Sequence, residues 1–225
     1  MTEEPVNSNL LVTREGTSLP PILSLPLVSE RPCLNFVNTI DWRLDSNRRR
    51  DTLNCYSDLL AFTLRLNLLS VESYTGLSEQ AQTTVAERAL RDARTFRDAL
   101  ASIIDDINNP QEESRYKTIH PEALSIFDAA RRKAHESESL NWAEDRLTVQ
   151  PSPEEEGLDL PWLILVRDAE KLLYSSEAAR IHICAAMGCG WVFLDLSKNG
   201  TRRWCSMELC GNREKAARFK AKRRS

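Results

Sequence analysis

The sequence predicts a mainly α-helical body, α+β through a few short strands, followed by a small cysteine-rich module with a β-hairpin and a basic C-terminal helix. Three observations carry this reading. Apolar residues recur at three-to-four spacing in four stretches between positions 51 and 182, four of the six cysteines fall between positions 184 and 210, and ten basic residues lie from Lys198 onward.

At 225 residues the chain has room for one domain and a small appended one. Hydrophobic residues at 41% and charged residues at 28% are the proportions of a globular protein. The longest unbroken apolar run, residues 162–166, is far too short to span a bilayer, so no membrane role is expected. The first residues, Met-Thr-Glu-Glu-Pro, offer neither a basic start nor an apolar signal core. A cytoplasmic location with reduced cysteines follows as an expectation.

Residues 1–21 lack periodicity and read as a disordered leader. A mixed apolar stretch, residues 31–43, precedes a polar basic loop at 47–50. Leu53, Tyr56, Leu60, Leu64 and Leu68 predict a helix over about 51–69. The clearest helix runs over about 78–108, where Val85, Ala89, Ala93, Phe96, Leu100, Ile103 and Ile107 keep one face apolar and Pro110 helps end it. Pro121 at a first helical position starts another, over 121–136. Residues 140–150 can supply a strand, and 151–157 read as a turn. A last body helix, over 161–182, carries Leu165, Ala169, Leu172 and Leu173 and runs into Cys184. The expected division is a leader at 1–21, a helical domain at 22–180 and a finger at 181–225.

The cysteines form two similar pieces, Cys184-Ala-Ala-Met-Gly-Cys189-Gly190 and Cys205-Ser-Met-Glu-Leu-Cys210-Gly211. Two loops each carrying a cysteine pair can wrap a tetrahedral Zn2+ from opposite sides. Four thiolates would close its shell and make it structural rather than catalytic. Cys184, Cys189, Cys205 and Cys210 are therefore the expected ligands of one zinc, in a zinc-ribbon or treble-clef-like module. Glycine after each pair suits a positive φ. Residues 191–195 are strand-like, Asn199-Gly200 is a favoured hairpin turn, and 201–204 can return. His182 is expected to be an ordinary residue. Four buried free thiols are the bland alternative.

From Lys198 the ten basic residues face two acidic ones, a formal +8, which leaves −11 on residues 1–197 of a chain whose net charge is −3. Asn212 can cap a helix rich in Ala, Lys and Arg. At 100° per residue, Lys215, Arg218 and Lys222 make one ridge and Arg213, Lys220 and Arg224 another. Phe219, between the ridges, is expected to pack the helix onto the metal module. Arg202, Arg203, Arg213, Lys215, Arg218, Lys220 and Lys222 are the expected contacts to double-stranded DNA, through its phosphates. A solubilising tail, or one paired with the acidic body, would show the same composition.

Around Cys210-Gly-Asn-Arg213 the sequence resembles the CGNR zinc-finger family, and the match extends back through 189–195 and Arg202-Arg203. Residues 33–39, Cys-Leu-Asn-Phe-Val-Asn-Thr, and 58–62, Asp-Leu-Leu-Ala-Phe, resemble the opening of the ABATE domain that usually precedes that finger. Asn35 stands where many relatives carry aspartate, and Asn67 where glycine is common. The resemblance implies a bacterial transcription regulator, sometimes described as stress-induced, whose finger binds DNA; an acidic helical body that senses a ligand or dimerises completes that reading.

Against an enzyme stands the absence of G-x-S-x-G, H-E-x-x-H, P-loop and G-x-G-x-x-G motifs, with the three histidines scattered at 120, 135 and 182. Asn38, Thr39, Asp41 and Arg43 are the densest polar group in an apolar segment and the expected lining of a small-molecule pocket, unless they cap a helix or satisfy backbone. A protein-binding finger would instead expose Trp191, Phe193 and Trp204 as anchors.

Overall fold

The computed structural model describes residues 21–108, 119–143 and 145–223; the expected leader, apart from Pro21, lies outside them. Two short helices, α1 (Pro21–Ser24) and α2 (Pro32–Val37), lead into a two-stranded antiparallel pair, β1 (Ile40–Asp41) with β2 (Arg50–Asp51). Helices α3 (Tyr56–Arg65), α4 (Val71–Ser78), α5 (Thr84–Asn108) and α6 (Pro121–Glu136) follow. A hairpin of β3 (Glu138–Ala143) and β4 (Arg146–Pro151) then gives way to α7 (Pro153–Glu156) and α8 (Leu160–Leu173). Strands β5 (Ile181–Ile183) and β6 (Val192–Leu194) and helix α9 (Asn212–Lys222) complete the order.

The body is assembled around α5, which buries Ala86, Ala89, Ala93, Phe96, Leu100, Ile103 and Ile104 on one face. Phe96 is its hub, with ring centroids 6.5 Å from Phe36, 5.7 Å from Phe127 and 6.3 Å from Trp162. Each such aromatic pair adds roughly 0.5–1.5 kcal/mol beyond the area it buries. Val85, expected on this stripe, is exposed, because the buried face is set one residue later by Ala86. Arg97, 2% exposed, leaves the same helix to form a bidentate pair with Asp51 at 2.9 and 2.8 Å and to reach Thr39 Oγ1 at 3.1 Å. Burial pushes the Asp51 carboxyl up, but the bonds from Arg97 outweigh it and hold the group below its usual range. This buried ion pair ties the β1–β2 turn to the body.

Boundaries moved where capping groups sit. The helix expected over 51–69 starts at Tyr56, since Asp58 accepts from the backbone N–H groups of Asn54 and Cys55 at 2.7 and 3.1 Å. It stops before Asn67, whose φ of +56° is left-handed. Glycine adopts that conformation without steric cost, and asparagine is among the few other residues that tolerate it. Asn35 accepts from the N–H groups of Val28 and Ser29 and donates Nδ2 to Ser29 O at 2.6 Å, a bond an ionised aspartate lacks the proton to make. The helix expected from 78 begins at Thr84, capped by Thr83 Oγ1 on the N–H of Ala86. Residues 140–150 are not one strand but part of the β3–β4 hairpin, closing beside Asp145 at φ +57°. The expected turn at 151–157 contains α7, whose Glu156 is buried against Arg167 and Ser137.

The largest departure is at α8. The helix expected to reach 182 ends at Leu173; Ser175 Oγ accepts from Glu177 N–H, a short 3-10 turn spans Ser176–Arg180, and the chain enters the finger as strand β5. Serine at a helix end competes for backbone donors, which apolar periodicity does not register.

His135, in the last turn of α6, bridges Glu138 and Glu170 with both ring nitrogens at 2.6 Å. The bond to Glu138, opposed by desolvation and aided by Glu170, raises its pKa above the usual histidine value. A raised folded pKa means stabilisation that is complete below about pH 6.5 and is lost as pH rises through the folded value. The denaturant midpoint should therefore fall as pH rises from about 6.5, and His135→Gln should flatten that dependence. An unchanged pH profile in the variant would refute it.

Candidate metal centre and nucleic-acid face

The finger begins where β5 pairs with β6, Ile181 opposite Leu194 and Ile183 opposite Val192. The residues between them form a knuckle carrying Cys184 and Cys189, with Gly188 at φ +77° and Gly190 at φ +69°. A Cβ on Gly190 would lie 2.7 Å from Leu44 Cγ and 3.1 Å from the Leu44 nitrogen, so glycine is required by conformation and by space. The equivalence expected at Gly211 is absent: its φ is −61° and it lies within a helical run. That run starts earlier than expected. Ser206, not Asn212, caps it, accepting from Glu208 and Leu209 N–H at 3.1 and 3.3 Å, and a π-helical turn, Met207–Gly211, continues into α9. A knuckle in a hairpin and the first turn of a helix thus supply one cysteine pair each, a treble-clef-like arrangement.

The predicted hairpin about Asn199-Gly200 is also displaced, because the strand partner of β6 is β5. Gly200 does adopt φ +60°, but 201–204 returns without a ladder. Asp195 replaces it: fully buried, its carboxylate accepts from Ser197 N–H at 2.8 Å and Arg202 N–H at 3.0 Å. Side-chain acceptors here do what a second strand was expected to do.

The four cysteines are buried and their sulfur atoms all lie within 4.8 Å of one another. Cys205–Cys210 is 3.4 Å, Cys189–Cys210 3.6 Å and Cys189–Cys205 3.9 Å. A tetrahedron with metal–sulfur bonds of about 2.3 Å has edges of about 3.8 Å, whereas a disulfide needs about 2.05 Å. The set fits one Zn2+ closed by four thiolates, a structural ion. Without a cation the thiols cannot all ionise. Hydrogen bonds from Cys189 and then Cys205 hold the Cys184 thiol far below its ordinary range, while donation to that thiolate pushes Cys189 and Cys205 well above it. Cys210 is raised by burial first. His182 lies outside the cluster, its ring 6.0 Å from Phe193.

The residue patterns at 30–176 match the ABATE family, described as putative stress-induced transcription regulator, and those at 180–223 match the CGNR zinc finger. The chain belongs to the ABATE family. A search of the curated proteins finds no match. Both matched families are of a regulatory or zinc-finger type. Among the described residues no helix is long and apolar enough to cross a membrane.

The ABATE body and its finger are joined by polar side chains. Asn38 accepts from Val192 N–H at 2.7 Å and donates Nδ2 to Val192 O at 2.9 Å, completing β6 as a neighbouring strand would. Thr39 donates to Phe36 O at 2.7 Å and receives Arg97. Arg43 pairs bidentately with Asp105 at 2.6 and 2.8 Å and donates Nε to Gly190 O at 2.9 Å. Its backbone N–H bonds Cys189 O at 3.0 Å, and that of Leu44 bonds Gly188 O at 3.3 Å. Of the four residues expected to line a pocket, Asn38 and Arg43 thus hold the finger, and Thr39 is engaged within the body. Asp41 alone borders a cavity, of about 280 Å³, between α1, Trp42, Arg50, Trp191, Arg213 and the metal cysteines.

The basic residues divide by position. Arg202 lies over the Phe193 ring at 4.2 Å and donates to the carbonyls of Leu194, Trp204, Val28 and Cys205. Four of its five N–H donors are taken by backbone carbonyls, which leaves at most one for a phosphate. Arg213 donates to Cys210 Sγ at 3.3 Å and sits 4.3 Å from the centre of Trp42. Arg203, Lys215, Arg218, Lys220 and Lys222 are exposed. Contrary to expectation α9 has no buried residue, and Phe219 is 62% exposed. Trp191 and Phe193, the anchors of a protein-binding finger, are buried instead.

One basic group was not among the expected DNA contacts. The loop 48–50 is brought beside the finger by the Arg43 and Leu44 bonds, and Arg48 shares Trp42 with Arg213, its guanidinium 3.0 Å from the ring centre. Arg48, Arg49 and Arg50 are exposed. The signal, three consecutive arginines, was visible; that it lies at the metal centre was not.

Arg213→Ala should speed zinc release to a chelator several-fold, because it removes the cation nearest a cluster of formal charge −2, a contact on the order of 1–3 kcal/mol. Release into a chromogenic chelator measures this, and an unaltered rate would exclude the role.

Proposed function

We propose that this chain is a DNA-binding transcription regulator of the cytoplasm, with a body at 22–180 and a finger at 181–225. The carrying observation is α9, a helix with no buried residue that projects Lys215, Arg218, Lys220 and Lys222 from a base held by the metal centre. A helix that buries none of its residues gains little from tertiary packing. Duplex phosphates would supply what it lacks, through direct neutralisation and counterion release. Arg203 and the loop 48–50 extend this charge, so the body contributes to the same face. Arg202 and Arg213 serve the finger's structure.

A small-molecule effector would enter the cavity beside Asp41 and Trp42, where it meets Arg213 and the metal knuckle together. Signal from the body would then pass through Asn38 and Arg43, the side chains that set the knuckle's position. The zinc-loaded chain tested by gel shift on duplex from its own upstream region should bind at low salt. Failure to bind any duplex would overturn the reading.

A further inference from the structure

The β3–β4 hairpin is amphipathic the wrong way round. Register pairs Leu140 with Val149 and Trp142 with Leu147, which places these four side chains on one face, and they are 71, 55, 70 and 66% exposed. The alternate positions Asn141 and Thr148 are half-buried, and Asn141 fronts a hollow of mixed lining beside Glu72, Ser73 and Leu77 of α4. Polar residues face the molecule and apolar ones face water.

We infer that this face is the contact through which two copies of the chain dimerise. Four side chains of this size and exposure present on the order of 500 Å² of apolar surface, at the upper end of what a monomer normally shows. Two such faces bury on the order of 1,000 Å² when joined, which reaches the lower bound for a specific interface. None of the four carries a charge. A second copy always brings the same charges to a two-fold contact, so an uncharged face suits self-association, while a charged partner would find nothing to pair with. The hairpin also needs support. Its packing is overwhelmingly between its own two strands, and an isolated two-stranded hairpin is marginal in water. A second hairpin laid on the first makes two apolar layers with Trp142 at the centre, the residue type that dominates interface energetics.

The inference does not rest on the DNA reading, and it is tested without DNA. Sedimentation equilibrium of the full zinc-loaded chain at high salt should give twice the chain mass of 25.6 kDa, since an apolar contact does not weaken with ionic strength. Trp142→Glu should raise the dimer dissociation constant roughly 30-fold or more. Leu147→Glu, across the hairpin, should do the same and guards against one variant that fails to fold. Wild-type chain that stays monomeric at about 100 μM overturns the inference. So does a dimer that either folded variant leaves intact, whether held by another surface or with the face covered by residues 1–20.

Discussion

Cys205→Ser should abolish zinc binding and unfold the finger at room temperature. Structural zinc is worth roughly 10–16 kcal/mol in small modules at neutral pH, as much as or more than the typical stability of a whole domain, about 5–15 kcal/mol. Apart from the segment around β6 that packs on the body, the finger has little else: β5 and β6 are three residues each, and α9 buries nothing. Serine removes one of four ligands, and it does so where Cys205 is 1% exposed and unable to recruit a compensating water without disruption. The damage should spread. Val192, Phe193 and Leu194 share one contiguous core with Phe36 and Val37, and Asn38 loses both its bonds when β6 moves. A loss of a few kcal/mol in the body lowers its melting temperature by roughly 10 °C, at about 2–4 °C per kcal/mol for a chain of this size. Metal analysis and thermal melting followed by circular dichroism test both parts. A variant that retains stoichiometric zinc would reject the four-cysteine assignment; a body melting at the wild-type temperature would reject the coupling alone.

The second large effect concerns salt. If four to six phosphates are engaged, log K for duplex should fall against log salt with a slope of about −4 to −5, hence a loss of several-hundredfold or more between 50 and 200 mM. Arg218→Ala with Lys222→Ala should flatten that slope by about two and weaken all sequences alike, the signature of phosphate rather than base contacts. Replacing Arg48 and Arg49 by Ala should flatten it by a similar amount while leaving zinc retention unchanged, which separates the body's share from the finger's. Fluorescence anisotropy over a salt series gives the slopes. Equal slopes for wild type and the helix variant would leave α9 with no part in binding DNA.

The metal ligands and the helical body could be read from the chain because both are written in local spacing. Two C-x4-C-G pieces 21 residues apart can meet only at a shared centre, and the 3.6-residue period over α5 and α6 reports a buried face wherever the neighbours lie. The charge imbalance was equally plain, being a matter of counting.

What tertiary structure decided was the use of each polar side chain. Arg202 and Arg218 are the same residue type in the same basic stretch, yet one is sealed against four carbonyls and the other faces solvent. Asn38 sits 154 residues from the Val192 it holds and Arg43 147 from Gly190, and Arg48 meets Arg213 across 165 positions through one tryptophan. The strand partner of β6 and the outward apolar face of β3–β4 belong to the same class. Helical periodicity and ligand spacing are properties of neighbours in the chain, set by backbone geometry. A hydrogen-bond donor's partner is settled only when burial removes water as the competing acceptor, and that depends on which distant segment arrives.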